Sequence, residues 1–439
     1  MRRSQHRQYA PDRSATEERN RIHMVKETLG KNMMSIGPIM NAWAATLAIA
    51  LLLPAGASAE DPASQPLPPL PQAASAVPAS PAQPATSPQE IKFAVAGDVM
   101  AHGWQLDGAH DEKCDCYDFK PVFATAAPLF KDVDVAIANL ETTLPGKNYS
   151  GYPAFGSPDS LVDAVTSAGI NLLTTANNHC LDKGKDGLIR TLRVLDEKGI
   201  PHLGTYASAK DQENQRIFLL SRNGITVAML DYTYGTNGIP TPDGVVVNRI
   251  DKSQISIDIA RARELHVDAV IVLFHFGKEY LNKPDAYQRD IVAHALASGA
   301  DIVLGGHPHH VQPYELLRYP GQEKPRLVAY SLGNFVSAQR DRYTDGGMVL
   351  YFTLVKKQDA AGKPAIDITD VHHKLVWIYI SHENNRRNFH ILPVDSYLDP
   401  ASGLRLPADA LARMKSFHDD VEEVLSYNAS TAKTVMTQR

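Results

Sequence analysis

From residue 91 onward the chain alternates short apolar runs with polar stops. Five runs stand out: IKFAVAGD (91–98), DVDVAIANLE (132–141), INLLTTANNH (170–179), DAVIVLFHFG (268–277) and ADIVLGGHPHH (300–310). Each is a continuous β-rich run rather than an alternating one, as expected of strands covered on both faces. Between them lie helical patterns. SPDSLVDAVTSAG (157–169) offers Ser157 as an N-cap, Pro158 in the first turn and Gly169 as the stop. KDGLIRTLRVLDEKG (185–199) spaces Leu188, Leu192 and Leu195 on one face, and PDAYQRDIVAHALASG (284–299) runs from a proline to a glycine. Strand–helix alternation predicts an α/β layered fold. GQEKPRLVAYSLGNFV (321–336) and GGMVLYFTLV (346–355) read as strands of a second, more antiparallel sheet. PADALARMKSFHDDVEEVLSYN (407–428) reads as a helical tail.

The first ninety residues break this pattern. Residues 1–31 carry eight basic and four acidic side chains, and an uncharged stretch then runs from Asn32 to Ala59. Its apolar centre, AWAATLAIALLL (42–53), is shorter than the ~20 residues a membrane span needs. It fits a signal peptide with Ala57 and Ala59 before a cleavage ahead of Glu60. Met24 and Met33 are alternative starts, and an uncleaved N-terminal anchor is the other expectation. Residues 60–90, rich in Pro, Ala and Ser, read as an extended linker. The expected organisation is therefore leader or anchor 1–59, linker 60–90, folded domain 91–395 and helical tail 396–439. The expected location is beyond the inner membrane, periplasmic or extracellular, with the N-terminus as a possible tether.

Composition adds two exclusions. With 44 Lys+Arg against 49 Asp+Glu the net charge is -5, which argues against nucleic acid as a partner, since that needs a basic surface. Three cysteines are too few for a disulfide framework. Cys114 and Cys116, one residue apart, are expected to be ordinary loop thiols, because a bridge between them would close a small ring.

The five runs share a feature: each delivers ligand-type residues at its C-terminal end, the edge where α/β sheets form their sites. Asp98, Glu141, Asn178, His179, His275, His307 and His309 could converge there. Each alone has an ordinary explanation: a turn cap for Asp98, a solvated acid for Glu141, a satisfied core histidine for His275. His307-Pro308-His309 is harder to dismiss, since alternate residues of an extended segment share a face; His310 would then point away. Imidazoles mixed with carboxylates suit zinc, manganese or iron. Two such ions sharing a carboxylate can activate water near neutral pH and clamp a phosphoryl group. The competing chemistries have less support. No GxSxG elbow is present, Cys180 cannot easily pair with the adjacent His179, Ser331 in YSLGNFV has no nucleophile context, and phosphate-binding glycine loops are absent.

AVAGDVM, IANLETTL, ANNHCLDKGKDGL, HFGKEY, GGHPHHVQPYE and YSLGNFV, in this order, resemble the capsule-synthesis CapA family over residues 91–355. That family is associated with poly-γ-glutamate production and is similar to calcineurin-like metallophosphoesterases. The resemblance implies a four-layer αββα sandwich with one or two divalent ions. It implies Asp98, Glu141, Asn178, His275, His307 and His309 as metal ligands, with Glu141 near the place of the bridging aspartate, and His179 as the transition-state acid. Two positions depart from the phosphoesterase pattern: Met100 stands where a second histidine follows the first aspartate, with His102 two residues on, and Asn139 and Glu141 replace the usual bridging motif. The function implied is synthesis, export or attachment of an extracellular polyanion such as poly-γ-glutamate. Membrane synthase subunits and an anionic polymer or phosphoester are the implied partners. The alternative is a non-catalytic scaffold or polymer-binding subunit.

Overall fold

The computed structural model describes residues 89–318, 324–358, 362–383 and 386–436. The leader and nearly all of the linker lie outside the described residues. No helix among the described residues is long and apolar enough to cross a membrane.

Two mixed sheets stand face to face. The strands of the sheets are β1 (Glu90–Val99), β2 (Val135–Leu140), β3 (Leu172–Thr174), β4 (His202–Leu203), β5 (Phe218–Arg222), β6 (Ile225–Thr233) and β7 (Ala269–His275). They continue with β8 (Ile302–Gly306), β9 (Tyr314–Leu317), β10 (Arg326–Ala329), β11 (Asn334–Val336), β12 (Gly346–Gln358), β13 (Pro364–Glu383) and β14 (Arg386–Pro393). The first sheet runs β14-β13-β12-β1-β2-β3-β4, with β11 also pairing to β1; the second runs β9-β10-β8-β7-β6-β5. β1 to β4 are mutually parallel, as are β6, β7, β8 and β10.

The layers follow from the two-residue period of a strand. Ile91, Phe93 and Val95 of β1 face the space between the sheets, where they meet Ile271 and Leu273 of β7 and Ile302 and Leu304 of β8. Ala94 and Ala96, on the opposite face of β1, pack under α1 (Ser160–Ser167) and α2 (Gly184–Glu197). Val270, Val272 and Phe274 of β7 pack outward against α3 (Lys252–Glu264) and α4 (Ala286–Ser298). The result is a four-layer αββα sandwich, and the continuously apolar strands are those covered on both faces. The C-terminal helix, α5 (Ala408–Met436), completes the inter-sheet core with Ala410, Met414, Phe417 and Val421.

Four local expectations change. The later strands do not make a sheet of their own: β10 joins the second sheet, while β11 and β12 flank β1 in the first. A buried apolar run carries no mark of its partner strand. Ser157 does not cap α1; its hydroxyl meets that of Thr142 at 2.8 Å, and the helix starts after Asp159, whose carboxylate is held by Arg190. Cys114 and Cys116 are joined in a disulfide. Asp115 between them takes a left-handed φ of 49° at the tip of a two-stranded ribbon, which turns the two side chains together. Finally, 307–310 is not extended: His307 and His309 have φ of 96° and 59°. Both still enter the site, by two left-handed turns rather than by strand alternation.

Candidate metal centre

The C-terminal ends of β1, β2, β3, β7 and β8 open on one place, although they belong to two sheets. Asp98 is the penultimate residue of β1, and Glu141 follows β2, its N–H bonded to the Val99 carbonyl at 3.0 Å. Asn178 and His179 lie in the turn after β3, His275 ends β7, and His307 and His309 follow β8. All seven candidates are buried, and Asp98 and Glu141 completely so.

Two close approaches hold the edge together. A Cβ on Gly97 would lie 1.9 Å from the Gly333 carbonyl oxygen, so only glycine lets β1 pass this close to the segment leading into β11. Gly204, with φ of 110°, leaves room for Asp231 of β6, whose Oδ2 would be 2.1 Å from a Cβ there. That oxygen accepts the N–H groups of Thr175 (3.2 Å) and Ala176 (2.9 Å). Asp231 thus ties the second sheet to the turn that carries Asn178 and His179.

The candidate ligands fall into groups whose donor atoms lie within 4.8 Å of one another: Glu141 with His275 and His307, and Asp98 with Glu141 and His309. Glu141 is common to both. His275 Nε2 is 2.7 Å from Asn178 Oδ1 and 3.3 Å from Glu141 Oε1, so imidazole, amide and carboxylate aim at one point. Asp98 Oδ1 accepts from Asn139 Nδ2 at 2.8 Å, and its Oδ2 lies 3.4 Å from His309 Nδ1.

Electrostatics sharpen the picture. Burial alone would raise the Asp98 pKa, but the His309 hydrogen bond and the charge of His275 hold it at about 2. Burial disfavours protonated His309, yet Asp98 and the nearby carboxylates of Glu141 and Glu279 push its pKa up to about 9. His307 is driven well below the usual range by burial and by the charges of His275 and His309.

Divalent ions fit this donor set. Both oxygens of Glu141 and Nδ1 of His307 are buried without a hydrogen-bond partner among the described residues. Glu141 has histidines beside it but no hydrogen bond to either oxygen, and buried polar atoms left so are where an ion is expected. The chemistry of the set, imidazole with carboxylate around a shared carboxylate, is that of a binuclear divalent site.

His179 stands apart from these groups. Its Nδ1 is 2.6 Å from Asp182 Oδ2, and Asp182 is itself buried and accepts the Phe155 N–H at 2.6 Å. Burial opposes a charge on His179, but the Asp182 hydrogen bond and the negative charge of Glu141 outweigh it and raise its pKa. His310 is buried as well, bonded to Asn282 at 2.6 Å, and burial lowers its pKa to about 4; it joins none of the ligand groups.

Sequence reasoning passed over Asp182 and Glu279, and read Asn139 only as a departure from the bridging motif. Asn139 links Asp98 to Asn177, since its Nδ2 donates to Asp98 and its Oδ1 accepts from Asn177. The signal for Asp182 was its place three residues after His179 in NNHCLD. His102 joins none of the ligand groups: its Nδ1 accepts the Ala338 N–H, and its ring stands edge-on to Phe155. Cys180 is buried, which pushes its thiol up to about 12, so it offers no nucleophile near neutral pH.

Comparisons with known proteins bear on the same residues. The chain is 29% identical over 276 residues to the capsule biosynthesis protein CapA of Bacillus anthracis, covering 60% of this chain and 64% of that one. It is 28% identical over 257 residues to the PGA biosynthesis protein CapA of Bacillus subtilis, covering 57% and 65%. The chain thus spans just under two thirds of the length of these curated relatives. Among solved structures, the calcineurin-like phosphoesterase YfkN of Bacillus subtilis is similar with a TM-score of 0.39 and 14% identity, over 76% of this chain and 98% of that one. The family described as bacterial capsule synthesis protein PGA_cap matches residues 92–339, a span that runs from β1 through every candidate ligand to just past β11. With its ligand-bearing strand ends all inside that match, the chain belongs to the bacterial capsule synthesis protein PGA_cap family.

Proposed function

We propose that this protein is a metal-dependent hydrolase-type member of its family, acting outside the cytoplasm in the synthesis, export or attachment of an extracellular polyanion such as poly-γ-glutamate. The observation that carries the proposal is the buried Glu141 carboxylate, with no hydrogen bond to either oxygen, shared between two sets of ligand-type side chains. A scaffold or polymer-binding subunit has no need to bury such a cluster of ligand-type groups. Asp98, Glu141, Asn178, His275, His307 and His309 would hold one or two divalent ions, manganese, zinc or iron. When bound, such ions supply an activated water and polarise the bond to be broken. His179 then presents Nε2 to the leaving group and gives up its proton, while Asp182 fixes the ring and supports its charged form. A phosphoester, or an amide of the polymer, is the substrate class.

Two features support the location. The apolar stretch at 42–53 and the small residues at 55–59 suit export, and a Cys114–Cys116 disulfide persists in an oxidising compartment. Subunits of a membrane synthase are the proposed partners; the names of the Bacillus relatives speak of capsule and PGA biosynthesis.

The test is elemental analysis of the purified full-length chain, wild type beside His307→Ala. Bound divalent metal that falls in the variant is the expected result. A wild type that takes up no metal when supplied with manganese, zinc and iron overturns the proposal.

A further inference from the structure

The two ligand groups are unequal. Glu141, His275 and His307 have a fourth donor close by, Asn178 Oδ1, at 2.7 Å from His275 Nε2. Asp98, Glu141 and His309 also have an amide oxygen nearby, Asn334 Oδ1, but it lies 3.1 Å from the same His309 Nδ1 that faces Asp98 Oδ2 at 3.4 Å. The side chain two residues after Asp98 is Met100, a buried thioether and a poor ligand for a hard divalent ion. Asn139 Oδ1, the amide oxygen beside Asp98, is engaged, since it accepts from Asn177.

One carboxylate near this group is unused. Glu279 forms a third cluster with His307 and His309, with donor atoms again within 4.8 Å of one another. It therefore shares one histidine with each of the other groups. The backbone fixes it there. The N–H of Phe276 donates to the Gly306 carbonyl at 3.1 Å, and that of Tyr280 to the Pro308 carbonyl at 2.9 Å. The segment carrying Glu279 is thus stitched to the turn carrying His307 and His309. His307 keeps a buried Nδ1 with no hydrogen-bond partner, a second sign that this corner is built for a ligand.

Resting on the metal site proposed above, we propose that Glu279 is a fourth protein ligand of the divalent ion held by Asp98, Glu141 and His309. It is exposed and shares a side-chain hydrogen bond with Tyr280, which it would exchange for the ion. A carboxylate from the loop after β7 thereby supplies the donor that Met100 does not.

The test uses the full-length chain as wild type, Glu279→Gln and His275→Ala. Each is stripped of metal, titrated with Mn2+ by equilibrium dialysis and analysed for bound metal. Metal-free melting curves are recorded beside them, and Glu279→Gln is expected to melt in a single cooperative transition like wild type, because the site of substitution is exposed. Wild type is expected to take two ions. Glu279→Gln is expected to keep one at wild-type affinity and to bind the other at least about tenfold more weakly, the lower end of what supporting groups alone contribute. His275→Ala is expected to weaken the other ion instead. Two ions bound by Glu279→Gln at wild-type affinity would overturn the role of Glu279 and leave the metal site standing. A wild type that binds no Mn2+ and, on repetition, no Zn2+ would overturn both.

Discussion

Asp182 Oδ2 lies 2.6 Å from Nδ1 of His179, three residues before it in the chain, and both side chains are buried. The pair turns the other ring nitrogen of His179 into a supported proton donor. This arrangement separates the roles of the candidate residues and makes them testable one at a time.

If His179 is the acid, its loss should harm chemistry and spare metal. His179→Ala should keep its divalent ions while phosphoester hydrolysis falls by about 10²–10⁴-fold. The loss should be greater for an alkyl ester than for a p-nitrophenyl ester, whose leaving group needs less protonation. Asp182→Asn should move in the same direction. Equal losses on both esters would rule out the acid role.

The buried atoms of Glu141 and His307 that have no hydrogen-bond partner predict that metal stabilises the fold. An ion present at a hundred times its dissociation constant contributes about 2.7 kcal/mol. Melting temperature should therefore rise on adding Mn2+ or Zn2+ and fall again with a chelator. His275→Ala should show a smaller rise while its metal-free form remains folded, as judged by circular dichroism.

Asp231 predicts a dependence of stability on pH. Burial raises its pKa to about 8, against the pull of the N–H groups it accepts, while an unfolded chain would have it near about 3.9. Between these values the folded chain holds a proton that the unfolded chain has released. Raising the pH through that window therefore lowers stability by this group's contribution. Asp231→Asn cannot titrate, so urea unfolding at pH 5 and pH 8 should show a flatter pH dependence than wild type. An unchanged slope would mean that Asp231 is ionised in the folded protein.

The C-terminal helix is part of the core. Phe417 is 3% exposed, and its ring would be 2.6 Å from a Cβ on Gly346. Phe417→Ala should cost about 3–5 kcal/mol, measurable as a shift in the urea midpoint. A cost under about 1 kcal/mol would mean that the helix is dispensable to the sandwich.

How much of this was legible in the chain itself depends on the range of the interaction. The five buried strands, their polar C-terminal ends and the helices ending at Gly169, Gly199 and Gly299 follow from local patterning. Apolar runs, β-branched residues and glycines at left-handed stops act within a few residues. So does the crowding of ligand-type residues at Asp98, Glu141, Asn178, His179, His275, His307 and His309. Other features depend on partners far away in sequence. Ser157 looked like a cap, but Thr142 takes its hydroxyl, and Arg190 holds Asp159. His307 and His309 enter the site through left-handed turns that no strand pattern announces. Only the tertiary structure decided that β1, β2 and β3 lie in one sheet, β7 and β8 in the other, and that the two edges open on the same point. Burial is non-directional, so an apolar run says that it will be covered but not by which strand. The meeting of Glu141 with His275, of Asp98 with His309, and of Glu279 with both histidines of the last turn follows from that packing.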